Sequence, residues 1–67
     1  MTASIETQRA SGYRGSERFE EPGAYVEAVR RLWVHHVERG HVIESDHGRI
    51  RVRDREGIRI ATYWFLH

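Results

Sequence analysis

Sixty-seven residues with a formal net charge of +1 and no cysteine describe one small domain without disulfides or thiolate metal sites. A chain of this size buries only about 60% of its unfolded surface, so a second subunit, a partner or a histidine site is the remaining route to extra stability. Eleven basic against ten acidic side chains give non-specific nucleic-acid binding little support from bulk charge.

Residues 1–20 are polar, with Gly12, Gly15 and several serines and threonines. Such a stretch buries too little apolar surface to offset its ordering entropy, and it reads as a mobile N-terminal segment. Tyr13 and Phe19 are its two groups able to dock on a domain. The N-terminus has no apolar run of signal-peptide type, and no run in the chain reaches the roughly 18 residues of a membrane span. A cytoplasmic protein without a membrane partner is the expectation.

Residues 21–67 read as a single α-β-β-β domain. Pro22 is favoured at the first helical position, and Glu20 and Glu21 place negative charge beside the positive end of the helix dipole. Val26, Val29, Trp33 and Val37 recur with helical spacing, widened by Tyr25, Ala28 and Leu32, which predicts one buried face. Arg39 followed by Gly40 is a helix stop.

After Gly40 the apolar period changes from 3.6 to 2. "HVIESD", "RIRVRD" and "IRIATYWFL" read as three strands joined by short glycine-containing turns, hence an antiparallel meander. His47-Gly48 as a two-residue turn sets Ile43 opposite Val52, Glu44 opposite Arg51 and Asp46 opposite Arg49; the competing three-residue loop, Asp46 to Gly48, is disfavoured because it brings Glu44 to the apolar face. In the second hairpin, a three-residue loop of Arg55, Glu56 and Gly57 pairs Val52 with Ile60 and Arg53 with Arg59. Parity then puts Ile43, Ile50, Val52, Ile58, Ile60 and Trp64 under the helix and the arginines with Tyr63 and Phe65 on the opposite face. The expected fold class is α+β, an N-terminal helix on one face of a three-stranded antiparallel β-meander.

All the basic residues are arginine, and lysine and asparagine are both absent. Arginine's planar fork suits carboxylate and phosphate, but GC-rich coding is the plainer reading of that bias. The outer face is the candidate contact surface: Arg51, Arg53, Arg55, Arg59, Tyr63 and Phe65. Glu44 and Asp46 balance Arg51 and Arg49, leaving Arg53 opposed to Arg59, a like-charged pair that costs about 0.2–1 kcal/mol without an acidic neighbour. The competing reading is a solvated polar face, common on one side of an antiparallel sheet. The last strand should form an exposed edge and invite a homodimer.

Five histidines include "HHVERGH", but His35 and His36 diverge by about 100° on a helix and no zinc spacing occurs. No nucleophile triad, phosphate loop or carboxylate pair stands out, and an open three-stranded sheet offers little room for a pocket. The expectation is therefore a non-enzymatic module without cofactor or metal that occupies an acidic surface of a protein partner. In size and style it is like small inhibitors and adaptors of phages and other mobile elements, an analogy that does not imply function. The alternative is a nucleic-acid-binding domain using the same arginine ribbon, since a two-stranded ribbon fits the major groove.

Overall fold

Ala3, Ile5 and Thr7 alternate with Ser4, Glu6 and Gln8, and this period of two builds a strand close to the N-terminus. The computed structural model describes residues 2–67, with Met1 outside the described residues. Strands β1 (Ala3–Arg9) and β2 (Arg14–Phe19) form a hairpin and α1 (Pro22–Glu38) follows. Strands β3 (Val42–Asp46), β4 (Arg49–Arg53) and β5 (Arg59–Leu66) complete the chain. The five strands make one antiparallel sheet in the order β2-β1-β5-β4-β3, with the helix on one face.

The three-stranded meander with an N-terminal helix is thereby corrected: the sheet has five strands and the helix lies mid-chain. The physical reason lies in β5. Its register with β1, from Ser4 opposite Leu66 to Arg9 opposite Ala61, pairs the backbone edge that a meander would leave open. A strand with one wet face needs apolar side chains only at alternate positions, so a polar average does not exclude it. Ala3 and Ile5 are buried, and Phe19 packs on the core from β2. The stretch read as a mobile segment is a hairpin, and the last strand is interior to the sheet. The edges are β2 and β3, so β5 offers no free backbone edge on which a second chain could pair, contrary to the expectation of an exposed last strand.

The helix begins at Pro22 and ends in a Schellman arrangement. The Gly40 N–H donates to the Val37 carbonyl at 3.0 Å, and the His41 N–H donates to the His36 carbonyl at 3.0 Å. Gly40 supplies the required positive φ of 74°. The stripe that packs on the core is the partly buried Tyr25, Ala28, Val29 and Leu32 together with the buried His36. Val26, Trp33 and Val37, expected inward, are exposed. The helix turns by about one residue step relative to the apolar count, which seats His36 where Val37 would have pointed.

The first β3–β4 turn matches the expectation: His47 and Gly48 take φ of 45° and 75°, and Ile43, Glu44 and Asp46 oppose Val52, Arg51 and Arg49. The loop between β4 and β5 also has the expected form. Gly57 has φ of 86°, and the Asp54 carboxylate accepts the Glu56 and Ile58 N–H groups at 2.9 Å. The register beyond it differs. Arg53 opposes Arg59, but Val52 opposes Ala61, so Ile60 is one extra residue on β5. Both Ile60 and Ala61 pack toward the helix. A bulge of this kind reverses the parity of every later residue. Tyr63 and Phe65 therefore face the helix, and Trp64 turns to the bare face. Val52 and Ile50, 0% and 2% exposed, lie at the centre of the core.

Candidate functional site

The bulge divides the residues of the expected contact surface. Arg51, Arg53 and Arg59 remain on the sheet face away from the helix, as strand alternation requires. Tyr63 and Phe65 do not join them. Arg55 leaves the sheet: a side chain added at Gly40 would meet its Nε at 2.6 Å, so its guanidinium lies over the C-terminal end of α1. Positive charge there complements the helix dipole.

On the bare face, Trp64 is opposed by Glu6 on β1 and by Arg49 on β4. Arg14 and Arg18 reach this face from β2. Several of its arginines are already paired. Asp46 accepts from Arg49 at 3.2 Å and from Arg51 at 3.4 Å, and Glu44 accepts from Arg53 at 2.8 Å. Arg53 holds the Glu44 carboxyl below the usual carboxylate range, with Arg51 and Arg59 adding smaller effects. The Arg53–Arg59 pair is thus not unbalanced as the Cα register alone suggests, because Glu44 reaches diagonally to Arg53. Arg14, Arg18 and Arg59 make no ion pair among the described residues.

The helix side holds a second constellation. Through the Schellman turn, His41 comes back beside His36, and their Nδ1 atoms lie 2.9 Å apart. The other ring nitrogen of His36 is 2.9 Å from the Tyr63 hydroxyl. A neutral imidazole has one donor and one acceptor nitrogen, so the three groups form a continuous hydrogen-bonded chain in either tautomer. His36 is 4% exposed. Burial first, then the charges of His35, His41, Arg9 and Arg39, lowers its pKa to about 4. Burial raises the Tyr63 phenol, against a smaller opposing effect of Arg9.

Above this chain opens a cleft of about 790 Å³ between α1 and the β1–β2 hairpin. It exists because Thr7, Gly15, Ala28 and Ala61, which line it, are too small to fill the space between helix and sheet. Its walls carry Arg9, Arg31, Arg39, His35 and His41, with Glu17 as the lining carboxylate. The Tyr13 ring lies across Gly15, where an added Cβ would meet its hydroxyl at 2.6 Å, and the Arg9 guanidinium stands 5.7 Å from the ring centre. Sequence reasoning missed this site because the hairpin that forms one wall was read as a tail. The available signal was the crowded "HHVERGH" after a glycine-terminated helix, which brings two of its histidines together.

Among the described residues no three histidine, aspartate or glutamate side chains assemble to hold a metal ion. No helix among them is long and apolar enough to cross a membrane. No family model, curated protein or solved structure matches the chain.

Proposed function

We propose that the chain is a non-enzymatic binding module of the cytoplasm, which seats an acidic surface of a protein partner on its bare sheet face. It would act as an inhibitor or adaptor does, by occupying that surface. The observation that carries this reading is the uncovered sheet face with Trp64 near its middle and arginines on either side. Tryptophan and arginine are over-represented among residues that dominate binding energy. Arg14, Arg18 and Arg59 have no carboxylate partner among the described residues, and Arg49 and Arg51 share the one Asp46 carboxylate, which leaves a surplus of positive charge beside Arg53 and its partner Glu44. Acidic groups of the partner would complement this surplus. Tyr63 and Phe65 support the face from beneath through the core.

The test is affinity capture with the full chain, followed by binding of the purified captured protein to wild type, Trp64→Ala and Arg59→Glu. Loss of binding in both variants, with folding retained by circular dichroism, is the expected result. Binding that survives both variants overturns the reading. A second reading, single-stranded nucleic acid on the same face, draws on the same tryptophan, since exposed aromatics stack bases beside basic side chains. It predicts affinity that falls steeply with salt, about 0.7 log units per log unit of salt for each phosphate neutralised. A mobility-shift titration without any retarded species at low salt removes it.

A further inference from the structure

We propose that the cleft between α1 and the β1–β2 hairpin is a binding site for a small organic phosphate, held by Arg9, Arg31 and Arg39 with His35 and His41 beside them. The cleft gathers positive charge. Guanidinium and imidazole groups converge there from two separate elements, while Glu17 is the carboxylate in the lining. Bringing like charges together is unfavourable unless an anion joins them.

Hydrogen-bond donors also remain available on these side chains. Arg31 is held by Glu27 through its Nε at 3.2 Å, and Arg39 uses one terminal nitrogen on the His35 carbonyl at 3.2 Å. Each keeps further N–H groups for a ligand, because a guanidinium has five donors in a planar fork. Arg9 has no ion pair among the described residues and stands over the Tyr13 ring. A phosphate monoester carries about −1.5 to −2 charge at neutral pH and three strong acceptor oxygens. It therefore answers several arginines at once, where a single carboxylate offers two oxygens and one charge.

The 790 Å³ volume lies within the roughly 300–1,000 Å³ of small-molecule sites. Inorganic phosphate alone would leave most of it empty, so the ligand has an organic part. The exposed Tyr13 ring, laid over Gly15 at the rim, offers that part a flat apolar face.

The experiment is a titration of the full chain with adenosine monophosphate, followed by nuclear magnetic resonance of the His35 and His41 rings and of Tyr13. Saturable shifts are expected with adenosine monophosphate and none with adenosine. Arg9→Gln and Arg39→Gln should each weaken binding on the order of tenfold, with backbone spectra verifying the fold. Arg14→Gln, on the opposite sheet face, should leave the affinity for adenosine monophosphate unchanged, which keeps this site separate from the partner-binding face. The proposal is overturned by the absence of saturable shifts at about 10 mM probe, by unchanged affinity in both cleft variants, or by equal shifts with adenosine. Citrate binding as tightly as adenosine monophosphate overturns the phosphate assignment, and this arm needs no variant.

Discussion

Acidification should unfold this protein earlier than its carboxylates alone require, because His36 is buried in the neutral state. Its folded pKa is about 4 against an unfolded value of 6.5. Between those values the unfolded chain binds more protons than the folded one, so stability rises with pH. The contribution is complete above about pH 6.5 and is lost as pH falls toward about 4. Linkage arithmetic over that 2.5-unit gap gives a loss of about 2 kcal/mol at pH 5 and about 3 kcal/mol at pH 4, as upper values. For a domain of this size, about 2 kcal/mol corresponds to a melting-point drop of roughly 8–16 °C. Glu27, drawn down to about 2 chiefly by its hydrogen bonds with Arg30, and Glu44, lowered chiefly by Arg53, lose their contributions only as pH falls below about 4.5, a separate window.

The assay is thermal denaturation from pH 8 to pH 4 for wild type and His36→Gln. Glutamine keeps a polar group toward Tyr63 but does not titrate. The wild-type melting point should fall between pH 7 and pH 5 by several degrees more than that of the variant. Parallel curves would refute the argument. So would a ring titration of His36 in the native protein with a midpoint near 6.5, a measurement that stands even if the variant folds poorly.

Further outcomes follow from the same packing. Tyr63→Phe removes the hydroxyl partner of the buried His36 and should cost about 1–2 kcal/mol in urea denaturation. An unchanged midpoint would mean that water or another group replaces the hydroxyl. Gly40→Ala should destabilise by more than about 1 kcal/mol, because φ is 74° and the new Cβ would meet Arg55, whose guanidinium must then leave the helix end. Ile5→Ala should cost about 2–4 kcal/mol by calorimetry. A cost near zero would place the N-terminal hairpin outside the folded unit. In Arg53→Gln, the Glu44 carboxyl should titrate closer to its ordinary value, read from carboxyl carbon shifts, since Arg53 is its principal partner.

Local rules made a good part of this chain legible. Pro22 and the Arg39-Gly40 pair bound the helix, because an unpaired first N–H and a left-handed last residue are local demands. The His47-Gly48 turn and the Arg55–Gly57 loop follow from glycine's tolerance of positive φ, and with them the pairing of Ile43 with Val52 and of Arg53 with Arg59. Side-chain facing failed from Ile60 onward, since one extra residue on β5 exchanges Trp64 for Tyr63 and Phe65, and no local preference at "GIRIATYW" distinguishes the two parities. Arg53 found its acid diagonally, through side-chain reach that Cα pairing does not describe.

The N-terminal hairpin was decided only by tertiary structure. Residues 3–19 have too few apolar groups to hold a fold by themselves, yet β5 offers them a free edge and a core into which Ile5 fits. The same long-range pairing raises one wall of the cleft. With that wall in place, the histidines at the end of α1 lie over Tyr63 and beside Arg9, residues from opposite ends of the chain. Short-range chemistry set the helix and turns; the location of positive charge depended on which strands met.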